Sequence, residues 1–90
     1  MEFTWDKYKG VANEKKHGVT FHEATTVFND PLAVTFSDPD HSRLEYRYLT
    51  FGCSRFQRFL VVSHTDSENE VRIISARDMN KHERNIYEDK

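Results

Sequence analysis

Ninety residues set the scale of a single domain spanning 1–90, because two separate cores would each be too small to offset the entropy of ordering their chain. The chain is 37% hydrophobic and 31% charged with a formal net charge of −2, which is not the basic balance of a non-specific nucleic-acid binder. The longest apolar run, FLVV at Phe59–Val62, falls far short of the roughly 20 residues of a bilayer crossing, the N-terminus has no signal-peptide layout, and lone Cys53 cannot close an internal disulfide; a cytoplasmic protein with no membrane partner is expected.

In chain order, EFTW at residues 2–5 alternates polar and aromatic residues, as a short edge strand would. Asp6 then offers an N-cap to a helix with Tyr8, Val11 and Ala12 on one side, and Gly18 ends it. Thr20 and Glu23 form a capping-box pattern for a second helix from Phe21, which carries Phe21, Ala24, Val27 and Phe28 on one face until Asn29, Asp30 and Pro31 stop it. Strand-like segments follow: LAVTF, LEYRYLTF, RFLVVSHT and EVRIISAR, joined by SDPDHS, a turn around GCSRFQ, and DSEN. Connections this short join antiparallel neighbours. A last helix runs from about Met79 to Asp89, capped by Asp78 or Asn80, with Met79, Glu83, Ile86 and Tyr87 along one side. The expected fold is therefore α+β: two N-terminal helices, an antiparallel sheet of about four strands, and a C-terminal helix, with the helices on one face of the sheet.

Charge is unevenly spread. Glu23, Asp30, Asp38, Asp40 and Glu45 surround one base, Arg43, whereas Tyr46 to Thr65 contains Arg47, Arg55 and Arg58 and no carboxylate. A strand-borne guanidinium can grip phosphate oxygens with two donors at once, which makes Arg47, Arg72 and Arg77 candidates. Small Ser75 and Ala76 would leave room beside Arg77; alternatively Arg77 pairs with Asp78 or Glu83 and ties the last helix to the sheet. His64 is either a partly shielded general acid or base or a hydrogen-bonded surface residue. Lys15, Lys16 and His17 form a small basic patch at a helix end, while His22 and His82 carry no assignment. Tyr46, Tyr48, Phe51, Phe56 and Phe59 interleave with arginines, a mixture that can stack unpaired bases, although core packing competes for most of the rings. Asp38, Asp40 and His41 lie close together, yet Asx-turn chemistry accounts for that loop better than a metal site, and Cys53 has no base beside it.

The segments WDKYKGVANEKKHGVTFHEATTVFNDP, DPDHS, EYRY, LVVSHT and VRIISARDMNKHERNIYE together resemble the BrnT family of bacterial type II toxins. The resemblance is most specific over Lys16–Pro31 and over RIISAR with Glu83, Arg84 and Tyr87 after it, and Glu45 and Arg47 match a family Glu–x–Arg pattern. It implies a RelE-like fold, a ribonuclease activity that arrests translation, and a BrnA-type ribbon-helix-helix antitoxin through which operator DNA is reached in a toxin–antitoxin hetero-oligomer. In RelE-like cleavage without metal or cofactor, Arg47, Arg72 and Arg77 are expected on the phosphate and His64 as proton carrier. Lys16, His17, Arg55, Arg58, Lys81 and Arg84 are expected along the flanking RNA. The alternative is a non-enzymatic subunit acting as corepressor of a DNA-binding partner.

Overall fold

The computed structural model describes residues 1–38 and 45–89, so Asp40 and His41 of the SDPDHS loop lie outside the described residues. Its elements are β1 (Glu2–Thr4), α1 (Lys7–His17), α2 (Phe21–Thr25) tightening into a 3-10 turn (Thr26–Asn29), β2 (Val34–Ser37), β3 (Tyr48–Cys53), β4 (Phe59–Asp66), β5 (Glu70–Asp78) and α3 (Lys81–Glu88). The start of α1 is fixed by the Asp6 carboxylate, which accepts from the Tyr8 and Lys9 amides. Its end is fixed by Gly18 in the left-handed region at φ 70°. Thr20 caps α2 by accepting from the Glu23 amide at 3.0 Å, and Glu23 itself turns inward. The expected longer second helix stops early because the Thr25 and Thr26 hydroxyls donate back to the carbonyls of His22 and Glu23, competing with the helical ladder. The predicted apolar stripe of α1 also faces the other way: Tyr8, Val11 and Ala12 are exposed, and Asn13 is the residue that α1 buries.

The sheet is five-stranded and mixed, in the order β1-β5-β4-β3-β2, rather than four-stranded and antiparallel. β2 to β5 form the expected meander, and β1 adds to the edge of β5 in parallel, with Phe3 opposite Val71. The hairpin between β3 and β4 turns at Ser54–Arg58 with Gln57 at φ 63°, so Gly52 belongs to β3 and not to the turn. Gly52 is there for close approach: a Cβ on it would stand 2.6 Å from Val27 Cγ1.

One irregularity decides the faces. Between the pairs Ser63–Ser75 and His64–Ile73, β5 contains one extra residue, Ile74. In a regular strand Val71 and Ile73 oppose Ala76, and Arg72 opposes Arg77. The bulge shifts the parity, so Val71, Ile73 and Ala76 all reach the core while Arg72, Ser75 and Arg77 share the other face.

Core residues occupy both sides. On one, Val19, Phe21, Ala24 and Val27 pack against Leu60, Val62, Val71, Ile73 and Ala76. On the other, Tyr87 of α3 packs on Phe51 and Val61, so α3 does not join α1 and α2 on one face as expected. Its seat is fixed by Asp30, whose Oδ2 accepts from Tyr87 Oη at 2.5 Å and from the Cys53 amide at 2.8 Å. No helix of the described residues is long and apolar enough to cross a membrane.

Candidate active site

α3 covers only part of its face, and the uncovered part is organised in cross-strand rows. Phe36, Leu49, Ser63 and Ser75 pair in succession across β2, β3, β4 and β5. The next row toward α3 runs Val34, Phe51, Val61, Arg77. On the far side Arg72 stands opposite Thr65, and the Asp38 amide donating to the Arg47 carbonyl at 2.9 Å extends the β2–β3 ladder. Arg47, Arg77, Leu49, Ser63 and Ser75 thus line one cleft of about 300 Å³, with Asp38 on its wall. The two serines on its floor are small enough to leave this space open.

The arginines carry acidic partners. Arg77 donates from Nη1 and Nη2 to the two oxygens of Glu83 at 2.7 and 2.8 Å, and from Nη1 to the Asp78 carbonyl at 3.2 Å. The expectation that Arg77 ties the last helix to the sheet is therefore met. Glu83 also accepts from the Asn80 amide in a complete capping box, which identifies Asn80 as the cap. The Arg77 hydrogen bonds hold the Glu83 carboxyl below the usual carboxylate range, and the same pair raises Arg77. Guanidinium has five N–H groups; among the described residues Nε–H and one Nη2 proton of Arg77 remain for a second oxyanion. Glu45 joins the other two, at 2.7 Å from Arg72 Nη2 and 3.9 Å from Arg47 Nε.

A second depression of about 230 Å³ adjoins the cleft. It is lined by Lys9, Lys16 and His17 of α1, and it shares Ile74 and Ser75 with the arginine cleft. Asn13 anchors α1 there. Its Nδ2 donates to the carbonyls of Ala76 (2.8 Å) and Val19 (2.9 Å), and its Oδ1 accepts from the Ala76 amide at 3.1 Å, so the side chain substitutes for a missing strand beside β5. Lys16 and His17 thus line the depression that adjoins the arginine cleft.

Other expected residues are not. His64 lies on the α1/α2 face, 1% exposed, between the Phe28 and Tyr48 rings. Its Nε2 is 2.7 Å from Thr50 Oγ1, and its Nδ1 is 2.7 Å from Asp66 Oδ1. Burial pushes its pKa below the usual value against the opposing pull of Asp66, so the neutral ring is what the protein holds. A sheet separates it from the arginines, and it is withdrawn as their proton carrier. Arg58 is structural as well, donating to the Gly18 carbonyl (3.0 Å) and Glu23 Oε1 (3.2 Å) beneath the α1–α2 turn, while Glu23 also accepts from the Ser54 hydroxyl. Arg55 sits at the β3–β4 turn over the Phe56 ring, away from the cleft. Arg84 stacks 3.9 Å over Phe59 and pairs with Glu88, and Lys81 is exposed on the first turn of α3. Of the aromatics, Phe51 and Phe59 pack with α3, Tyr48 packs on His64, and Tyr46 and Phe56 are exposed.

A hollow of about 430 Å³ beside Thr26, Asp30, Cys53 and Arg55 lacks a reactive group: Asp30 is occupied by Tyr87 and by the Leu32 and Cys53 amides, and burial raises the Cys53 thiol. Among the described residues no three His, Cys, Asp or Glu side chains group as metal ligands. Asn13, which sets the place of α1, carries no signal in the sequence, and Asp30, which seats α3, reads there only as part of a helix stop and of an acidic segment.

A family model described as the ribonuclease toxin BrnT of type II toxin-antitoxin systems matches residues 5–83. Among solved structures, the crystal structure of the Brucella abortus ribonuclease toxin BrnT superposes with a TM-score of 0.68 at 20% sequence identity, covering 90% of this chain and 99% of that one. No curated protein matches this chain significantly.

Proposed function

Because this chain belongs to the BrnT family of type II toxin-antitoxin ribonuclease toxins, we propose that its ribonuclease site is the cleft between Arg47 and Arg77 and that cleavage there needs no metal ion. The carrying observation is the β5 bulge, which turns Arg72 and Arg77 to one face of β5, where Arg77 lines the cleft with Arg47 and Arg72 reaches Arg47 through Glu45. In the proposed reaction the ribose 2′-hydroxyl attacks the adjacent phosphorus, the bond to the 5′-oxygen breaks, and the departing 5′-oxygen takes a proton from water, leaving a 2′,3′-cyclic phosphate and a 5′-hydroxyl. Arg77 meets the developing charge with Nε–H and its remaining Nη2 proton, held in one orientation by Glu83. Arg47 meets it from the opposite wall. Glu45, 46% exposed beside Arg47 and Arg72, takes the 2′-hydroxyl proton. Lys16 and His17, with Lys9, hold the flanking backbone in the adjoining depression.

In this reading the chain acts in the cytoplasm and arrests translation. A BrnA-type ribbon-helix-helix antitoxin neutralises it in a hetero-oligomer and is its only route to operator DNA. The test is incubation of the purified chain with RNA in EDTA, with fragments ending in 2′,3′-cyclic phosphate as the supporting result.

One observation favours a second reading. Arg72 and Arg77 each already hold a carboxylate, as in a face built for rigidity rather than for RNA. A non-enzymatic subunit that modulates a DNA-binding partner follows if folded protein produces no fragments while it still shifts that partner's affinity for operator DNA.

A further inference from the structure

The arginine cleft accounts for a phosphate, and it leaves unexplained the apolar end of the row that crosses it. Phe36 lies on β2, directly opposite Leu49 of β3, and is 43% exposed although it belongs to a strand. Leu49 lines the cleft, and Phe36 continues the same surface outward. Directly opposed side chains on one face stand about 5 Å apart at Cβ, so the two form one apolar floor. The Phe36 ring is held by an edge contact to Phe51 at 5.2 Å and 61°, which limits its rotation without covering it. On one side that floor meets Val34 and Phe51, the near end of the row that finishes in Arg77 on β5, and on the other it meets Arg47. An apolar surface running out of a cleft lined by guanidiniums suits a group that is flat and apolar on its faces and anionic at its connections, which describes a nucleotide in a single strand.

We propose that Phe36 and Leu49 form a nucleobase subsite, on which an unpaired base next to the phosphate held by Arg47 and Arg77 stacks. This rests on the ribonuclease reading above and deepens it, because it makes single-stranded RNA the substrate: a paired base is already stacked within its helix and cannot lie on a sheet. Ser63 and Ser75, with side chains too short to cover the floor, keep the passage from phosphate to base open.

The test uses the full chain and a 2′-deoxy, hence uncleavable, single strand carrying 2-aminopurine at alternate positions. Binding to the unaltered chain quenches the fluorescence. Phe36→Ala abolishes the quench and weakens binding about tenfold, the scale of losing one stacked base, and Phe36→Tyr keeps both. With cleavable RNA, Phe36→Ala raises KM about tenfold and leaves kcat within about twofold. Unchanged quench and affinity in a folded Phe36→Ala chain overturn the subsite, as does a loss that Phe36→Tyr fails to rescue. Unchanged RNA binding with weakened antitoxin binding assigns the face to protein instead. A chain that quenches normally yet never cuts the ribose strand contradicts the ribonuclease reading and leaves the subsite standing.

Discussion

Replacing Asn13 with leucine keeps its approximate volume and deletes every hydrogen bond between α1 and the free stretch of β5. The side chain is 7% exposed and makes three hydrogen bonds, two of them to Ala76 of β5 and one to the Val19 carbonyl in the α1–α2 turn. Each contributes about 1 kcal/mol net, and the amide and carbonyls left behind have little access to water, so the loss is about 3 kcal/mol. A domain of this length has a total stability of about 5 to 14 kcal/mol, so the change is a large fraction of it. At roughly 4 to 8 °C per kcal/mol for domains of this size, the midpoint should fall by roughly 12 to 24 °C. Urea unfolding measures the free energy, and amide exchange locates it: the Ala76 amide should exchange far faster than its neighbours in β5. A loss under about 1 kcal/mol with an unchanged denaturant slope, or an Ala76 amide that stays protected, would refute the idea that one side chain stands in for a strand.

Two further outcomes follow from the same packing. His64 is held neutral, with its pKa depressed by burial below the unfolded value near 6.5, so below that pH the unfolded chain binds the extra proton first; stability should fall as pH drops through this range and stay flat above it, by at most about 1.4 kcal/mol per pH unit for this group. Thermal melts from pH 7.5 to 5.5, compared with those of His64→Gln, measure this slope, and an equal slope in the variant would contradict it. Gly52→Ala should cost about 1 to 3 kcal/mol by pressing a methyl group into Val27 and Ala33, and urea unfolding beside the Tyr87→Phe variant, which keeps the ring and loses only the Asp30 bond, separates overpacking from loss of the α3 anchor.

Much of this architecture is legible in the residues. Asp6, Gly18 and Thr20 bound the first two helices because caps act on backbone groups one turn away. The meander of β2 to β5 was equally legible, since turns of a few residues admit only antiparallel neighbours. What failed to show was non-local. Nothing in EFTW names β5 as its partner, and the polar side of α3 gave no sign of which face Tyr87 would seal. The bulge at Ile74 is hidden for a different reason: strict alternation divides VRIISAR into Val71, Ile73, Ser75, Arg77 and Arg72, Ile74, Ala76, neither of them purely apolar, and that mixture is the trace of an extra residue. His64 is misread because a histidine after Val61, Val62 and Ser63 looks like a strand end, whereas its strand continues to Asp66 and the ring turns under the helices. At the site, the arginines are visible as residue types, whereas the common face of Arg72 and Arg77 depends on the bulge, since plain alternation sends them to opposite sides.

The most direct test of the account is the rate of RNA cleavage in EDTA for Arg47→Ala, Arg77→Ala and the double variant, each verified as folded by circular dichroism. If both guanidiniums act on one phosphate, each single change costs about a hundredfold, Arg77→Lys recovers little because it lacks the two-pronged fork, and the double variant loses much less than the product of the singles. A rate within about threefold of the unaltered chain for either alanine variant, or losses that simply multiply, would contradict a shared phosphate in the cleft.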